Sequence, residues 1–275
     1  MGNLPAFSVC MSVYKNDRPD YFITAVRSIF HQTVVPNEII LVVDGPIPPT
    51  IVQAIETLQK EISILSVIWL PENMGHAIAR QTGLDAATNE LCAIMDSDDI
   101  SVPDRFEKQL NKIENSPKIS IVGGQINEFI DTPDNIVGSR IVPEHDTFIK
   151  KYLRRRCPFN QTTVMLRKTE VMNAGGYRDW YCNEDYYLWI RMTEAGCRFA
   201  NLPDTLVNVR VGEDMYARRG GWRYFKSEAG LQKYMLKHGI ISLPRYLFNI
   251  TARFAFQVAM PNRLRGFVFQ KLFRK

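Results

Sequence analysis

The sequence predicts an α/β fold: a mostly parallel sheet flanked by helices, followed by a helical, basic C-terminal extension. Three observations predict it. Short apolar runs alternate with amphipathic stretches over about the first hundred residues. The 275 residues are 45% hydrophobic and 23% charged, enough apolar mass to bury a full core and too ordinary a mix for disorder or low complexity. Basic residues also gather at the C-terminal end, where Arg245, Arg253, Arg263, Arg265, Lys271, Arg274 and Lys275 stand with no acidic residue among them.

The elements follow in order. FSVCMSV reads as a first strand and YFITAVRSIFHQ as the helix behind it. EIILVVD, an unbroken apolar run, reads as a buried second strand, with TIVQAIETLQK as the next helix. SILSVIWL supplies a third strand, GHAIARQTGLDAAT a helix and ELCAIMD a fourth strand. A helix from about Pro103 to Asn115 and a strand near Ile119 to Val122 come next. The period is then lost until RKTEVMNAGGY and the helix DYYLWIRMTEAG. No internal repeat or linker breaks the chain, so any second lobe is continuous with the first.

The five cysteines, Cys10, Cys92, Cys157, Cys182 and Cys197, are odd in number and lack the close spacing of a zinc or redox motif, so they read as reduced thiols of a cytoplasmic protein. MGNLPAFSVCMSVY lacks the basic start and long apolar stretch of a signal peptide, and no apolar run reaches the roughly eighteen residues of a membrane span. Membrane contact, if made, is expected at the inner face of the cell membrane. The net charge of +5 is modest, and its uneven distribution calls for a partner.

In open α/β sheets ligands gather past the carboxyl ends of the strands. Two acidic positions stand there, Asp44 after IILVV and Asp96 in IMDSDDI. Asp44 precedes a Gly-Pro turn, and Asp commonly starts turns. Asp96, Asp98 and Asp99 crowd together, and such mutual repulsion calls for a cation. Hard divalent ions take oxygen ligands and often bind through one or two carboxylates plus substrate phosphates, so the D-x-D spacing suggests a metal-diphosphate site. The competing reading is an acidic turn that leads into the helix near Pro103, with Ser101 or Asp98 near its cap.

Glu184 and Asp185 open the later helix, where Asn183 is a plausible cap and the helix dipole favours acids. Trp180, Tyr181, Tyr186, Tyr187 and Trp189 flank the pair and would raise a carboxyl pKa by desolvation, while the dipole lowers it; the net sign is open. In PENMGHAIARQTGL, Gly75 can end the turn that opens a helix, and Arg80 can orient an acid or a diphosphate. A solvated Arg80 on a plain amphipathic helix is the alternative.

Taken in order, SVYKND, IILVVDG, NMGHAIARQTG, MDSDD and NED resemble the motif series of family 2 glycosyltransferases over about residues 7 to 210. Five motifs in sequence are far more specific than any one. The resemblance implies a GT-A, Rossmann-like fold. It divides the chain into a catalytic domain at 1–215, with a nucleotide-binding half at about 1–100 and an acceptor half at about 101–215, and the extension at 216–275. It implies Ser12, Tyr14 and Asp17 near the ribose and base of a UDP-sugar donor, with Asp44 accepting from the uracil ring. Asn73, Gly75 and Arg80 join this donor site. Asp96 falls near the ribose and a Mn²⁺ or Mg²⁺ ion, and Asp98 is its direct ligand. Asp185, beside Glu184, falls on the general base.

FNQTTVMLRKTEVMNAGGY and PNRLRGFVFQKLFRK resemble segments of the subgroup that builds O-antigens, capsules and exopolysaccharides. That similarity favours UDP-glucose or UDP-galactose as donor and a lipid-diphosphate-linked sugar as acceptor. The Q-x-x-R-W motif of processive synthases is absent after residue 185, which implies one sugar per encounter. Arg218 and Arg219, set among glycines in VRVGEDMYARRGGWRYF, are expected to form a lid over the donor diphosphate; a solvated basic loop is the alternative. The extension interleaves basic residues with Tyr246, Phe248, Phe254, Phe256, Phe267, Phe269 and Phe273, as suits an anionic membrane surface; a helix packed on the catalytic domain is the alternative, and nucleic acid is not expected.

Three rivals remain at this level. A nicotinamide oxidoreductase would need G-x-G-x-x-G after the first strand, where SVYKND stands. A haloacid dehalogenase-type phosphatase would match DSDDI only loosely, and its motif belongs after the first strand, not the fourth. A non-catalytic nucleotide-sugar-binding module would not need carboxylates at all three stations.

Overall fold

The computed structural model describes residues 4–212 and 220–260. Four parallel strands, β1 (Phe7–Val13), β2 (Glu38–Val43), β3 (Leu65–Trp69) and β4 (Leu91–Met95), lie in the order β3-β2-β1-β4. β2 and β4 are buried almost throughout, which is why both read as continuous apolar runs. Between the strands run α1 (Pro19–Phe30), α2 (Pro49–Glu61) and α3 (His76–Ala86). α1 buries Phe22, Ala25, Val26 and Ile29, and α2 buries Ile51, Ala54, Ile55 and Leu58. Both sets follow the i, i+3, i+4, i+7 spacing of a single apolar stripe.

Beyond β4 the sheet becomes mixed. β8 (Met165–Arg167) pairs antiparallel with β4 and with β6 (Ile121–Phe129), and β9 (Phe199–Arg210) runs parallel to β6. β5 (Ile100–Ser101) pairs with β9, and β7 (Ile136–Arg140) pairs with β6. The strand expected near Ile119–Val122 extends to Phe129 because β7 and β9 give it partners along that length. The remaining helices are α4 (Arg105–Glu114), α5 (Asp146–Leu153), α6 (Lys168–Asn173), α7 (Glu184–Glu194), α8 (Gly221–Lys237) and α9 (Leu243–Phe254). The sheet separates two cores. α1, α2 and α4 fill one, whereas α3, α7 and α8 pack on the other around Trp189, Tyr186 and Leu231.

The acidic turn does not cap α4. Asp104 holds the N-cap position without a side-chain bond, and Ser101 is committed to β5, its hydroxyl near Gln32 and its amide bonded to Ser28. No helix among the described residues is long and apolar enough to cross a membrane. All five cysteines are free thiols.

Candidate active site

The ends of β1, β2 and β4 and the starts of α3 and α7 meet in one acidic region, and hydrogen bonds trace the route between them. Asp44 follows β2 and is only 6% exposed. Its carboxylate accepts from Asn73 Nδ2 at 3.0 Å, Met74 N–H at 2.7 Å and Gly75 N–H at 3.0 Å. This is no local turn, since its partners lie some thirty positions along the chain. Asp44 thereby anchors the 73–75 loop that opens α3. Gly45 makes the approach possible: at φ +83°, a Cβ there would meet the backbone N of Asn73 at 2.5 Å. Gly75 takes the N-cap of α3 at φ +86°.

After β1, Tyr14 stands edge-on to His76, with ring centroids 6.3 Å apart. Asp17 accepts from the Tyr14 N–H at 3.0 Å and from the Ser97 hydroxyl at 2.9 Å, which ties this loop to the D-x-D turn. Burial raises the Asp17 carboxyl above its ordinary value. Ser12, half-buried at the end of β1, pairs in register with Val42.

Arg80 joins the two acidic stations. From α3, its Nη2 contacts Asp96 at 3.0 Å and its Nη1 contacts Glu184 at 2.5 Å. The guanidinium is 10% exposed. Burial alone would lower its pKa, but Asp96 and Glu184 outweigh that effect and raise it. The reading of Arg80 as a solvated surface residue therefore gives way to one in which it orients acids.

The neighbours of Asp96 differ from it. Asp99 is 3% exposed and accepts from the Arg210 N–H at 3.0 Å, so it fastens β9 under the turn. Desolvation and the Asp98 and Asp96 charges push its carboxyl well above the ordinary range. Asp98 reaches solvent and has no ion pair among the described residues. Surrounding protein atoms, then Asp96 and Asp17, push its carboxyl up to about 6. Among the described residues no group of three or more His, Cys, Asp or Glu side chains could hold a metal by itself. Two carboxylates are available, Asp98 and the part of Asp96 that Arg80 leaves open. That donor set fits a hard divalent ion completed by substrate phosphates, and the crowding at Asp98 is charge such an ion would offset.

Asp185 faces a cleft of about 580 Å³ that also reaches Asp96 and Asp99. One of its oxygens accepts from the Tyr186 N–H at 2.6 Å, and the other accepts from the Cys157 thiol at 3.5 Å. Desolvation and the neighbouring Glu184 charge push the carboxyl up to about 6, against the opposing pull of Arg80 and the Tyr186 amide. The sign left open by the sequence is therefore upward.

The expected aromatic wall does not line the cleft. Tyr186 and Trp189 are buried in the core, and Trp180 and Tyr187 pack against each other with centroids 4.5 Å apart. None of these, nor Tyr181, lines the cleft. The helix period turns them to other faces, and Cys157, Phe159 and Gln161 close in on Asp185 instead. Asn183 does hold the N-cap position of α7, but its amide donates to Tyr181 O and Ser227 Oγ rather than capping the helix.

The structure thus brings together Tyr14, Asp17, Asp44, Asn73, Gly75, Arg80, Asp96, Glu184 and Asp185 as one connected region, with Ser12 at its edge and Asp98 at its rim. Arg218 and Arg219 lie outside the described residues, as does the tail beyond Met260. In the described part of the extension, Arg253 is not a surface anchor. It pairs with Glu228 at 2.5 Å and donates to Arg155 O at 2.6 Å, while Phe256 lines the cleft and Asn249 bonds Arg154 O and Gln232. One face of α9 is therefore packed on the protein.

Sequence reasoning missed several residues in and behind the cleft. Arg140 braces the floor through Phe159 O, Asn160 Oδ1 and Cys157 O at 3.0, 3.0 and 2.6 Å. Arg105, wholly buried under β4, donates to Ile94 O at 2.9 Å and places positive charge behind Asp96 and Asp99. Arg105 carried a weak signal, an Arg on the buried stripe of a helix next to the acidic turn. Cys157 and Arg140 stand in stretches without period and carried none.

Comparison with known proteins identifies the family. Residues 8–178 match the family model described as glycosyl transferase family 2. An uncharacterized glycosyltransferase of Haemophilus influenzae is 40% identical over 98% of this chain and 99% of its own length. The amylovoran biosynthesis glycosyltransferase AmsE of Erwinia amylovora is 37% identical over 84% of this chain and 85% of its own. The UDP-Gal:alpha-D-GlcNAc-diphosphoundecaprenol beta-1,3-galactosyltransferase of Escherichia coli is 32% identical over 98% of each.

Two solved structures share the fold at low identity. The mannosyltransferase PcManGT of Pyrobaculum calidifontis, in complex with GDP-Man and Mn²⁺, gives a TM-score of 0.65 at 16% identity over 96% of this chain and 72% of its own. S. aureus TarS gives 0.66 at 17% identity, with 92% of this chain covering 44% of that one. The strand-end carboxylates, the mixed GT-A sheet and the family match lead to one conclusion: this chain belongs to glycosyltransferase family 2 and is a transferase.

Proposed function

We propose that the protein is an inverting, non-processive hexosyltransferase of bacterial surface polysaccharide synthesis. It moves one sugar, glucose or galactose, from a UDP-sugar to a lipid-diphosphate-linked acceptor. The observation that carries this reading is Asp185: a carboxyl with no ion pair among the described residues, raised to about 6, in a cleft that also contains Asp96. A base with that affinity is ionised at neutral pH and still able to take a proton, as acceptor activation requires. The 32% identical relative, whose name specifies UDP-Gal and a GlcNAc-diphosphoundecaprenol acceptor, supports the substrate classes. So does AmsE, whose name places it in amylovoran biosynthesis.

In this reading the acceptor hydroxyl meets Asp185 on one side of the cleft and the donor lies along Asp96 on the other. Asp185 accepts the hydroxyl proton as the oxygen attacks the anomeric carbon, and one displacement inverts that centre. Arg80 holds Asp96 and Glu184 in place through its two ion pairs, so the two stations keep their separation while the sugar passes between them. The loop carrying Tyr14 and Asp17 frames the ribose, and Asp44 with the 73–75 loop frames the uracil. Asp98, with Asp96, would hold Mn²⁺ or Mg²⁺, which when bound neutralises charge on the departing diphosphate. The Mn²⁺ complex of PcManGT supports that assignment. Exposed apolar residues on α9 fit peripheral contact with the inner membrane face.

UDP release, assayed over a panel of UDP-sugars with lipid-diphosphate-linked GlcNAc or GalNAc and with or without Mn²⁺, tests this. We expect release only with the metal and the acceptor, and most with UDP-glucose or UDP-galactose. Metal-independent release would remove the D-x-D assignment, and no release from any UDP-sugar would remove the donor class.

A further inference from the structure

A second cavity, of about 370 Å³, opens between the end of α5 and the α8–α9 turn. Lys151, Arg154, Arg155 and Arg245 line it together with the turn Gly239–Ser242, and no acidic residue does. None of these four cations has an ion pair among the described residues. Their surroundings behave differently. Lys150 pairs with Asp146 at 3.0 Å, Arg253 with Glu228 at 2.5 Å, and His238 meets Glu194 at 2.6 Å. The missing counter-charge is therefore local to the cavity.

Basic residues at a helix C-terminus can simply offset the dipole, and Lys151 and Arg154 close α5. That dipole end amounts to about half an elementary charge, too little to balance four cations. The start of α9 points the other way: Ser242 gives no side-chain cap, so the first amides of the helix add positive potential. The cavity suits a compact, multiply charged anion, and guanidinium pairs suit phosphate.

Two further features say where such an anion belongs. Arg155 lines both this cavity and the large cleft that holds Asp185, so the two adjoin at that residue. Beside them α9 exposes Leu243 at 57%, Leu247 at 55% and Phe248 at 65%. Leu243 and Leu247 stand one turn apart on the same face, and Arg245 lies 5.9 Å from the Phe248 ring centre. A reacting sugar, an anion and an apolar chain joined in that order would meet cleft, basic cavity and apolar face in the same order.

We propose that Lys151, Arg154, Arg155 and Arg245 bind the diphosphate of the lipid carrier that bears the acceptor sugar, with the lipid chain leaving across Leu243 and Leu247. This rests on the lipid-linked acceptor of the proposed function. A bulk phospholipid headgroup carries similar charge, but it gives no reason for the cavity to share Arg155 with the cleft.

Farnesyl diphosphate serves as the probe, titrated calorimetrically into the full chain under saturating UDP so that the donor site is filled. Farnesol and phosphatidylglycerol vesicles form the control arms. We expect the diphosphate to bind at least about tenfold more tightly than farnesol. R154Q/R245Q should weaken it by about tenfold or more with UDP affinity unchanged, and R154K/R245K should restore part of the loss, because Lys keeps the charge but not the planar fork. The single variants R154Q and R245Q, each expected to lose part of the binding, decide the matter if the double variant does not fold.

Equal affinity for farnesyl diphosphate in wild type and R154Q/R245Q overturns the proposal. So does loss of vesicle co-sedimentation in that variant with farnesyl diphosphate binding intact, which would assign the cavity to bulk lipid. Failure of every UDP-sugar in the release assay would instead strike the donor reading and leave this binding result standing.

Discussion

The two acidic stations, Asp96–Asp99 after β4 and Glu184–Asp185 at the start of α7, are built alike and divided alike. In each, Arg80 takes one carboxylate, Asp96 or Glu184. In each, a neighbour has no ion pair among the described residues and its pKa rises to about 6, Asp98 at the first station and Asp185 at the second. The difference lies in what each faces. Asp98 reaches solvent at the rim, suited to an ion that arrives with its substrate, whereas Asp185 sits among Cys157, Phe159 and Gln161 in a cleft. The carboxylates paired with Arg80 set the frame, as does Asp99 through the Arg210 amide, and Asp98 and Asp185 are left available for chemistry.

The largest expected effect separates the stations most sharply. D185N should cut turnover by about 10²–10⁴-fold while UDP affinity in the presence of Mn²⁺ stays within about twofold of wild type. D98N should do the reverse in kind, abolishing the Mn²⁺ dependence of UDP binding in a calorimetric titration. If both variants lost donor binding equally, the division of labour would collapse.

Arg80 tests the shared frame. R80M removes the partner of two carboxylates from a largely buried position and should cost about 3 kcal/mol in denaturant unfolding, with turnover lost as well. R80K keeps the charge but not the fork that spans both acids, and should recover stability better than turnover. Full activity in R80M would show that the bridge does not hold the stations.

A pH profile gives a gentler test. Asp185 must be ionised to take a proton, so kcat should rise with pH through about 6 and level off above it. The stability sign is opposite. With its carboxyl raised in the folded state, the folded chain binds the proton more readily, so stability falls as pH climbs from the ordinary carboxyl value of 3.8 through about 6. D185N lacks that penalty and should melt about 2–4 °C higher than wild type at pH 7.5, with little difference at pH 4. A lower Tm at pH 7.5 would mean that Asp185 stabilises the fold when ionised.

Local sequence determined the N-terminal half of this protein. β1 to β4 and α1 to α3 were legible because buried parallel strands show as apolar runs, and one-sided helices show as stripes such as Phe22, Ala25, Val26 and Ile29. The carboxylates at the strand ends were legible for the same reason, since a strand's end tells where its ligands gather.

Only the tertiary structure decided which acid meets which base. Arg80 lies 104 positions from Glu184, Cys157 lies 28 from Asp185, and no period links them. The rise at Asp185 comes first from burial and then from the adjacent Glu184 charge, in a cleft walled by residues distant in sequence, while Tyr186 and Trp189 turn into the core. Periodicity reports the face on which a residue lies; proximity across elements depends on how those faces pack, and desolvation and charge pairing act only at the distances that packing sets.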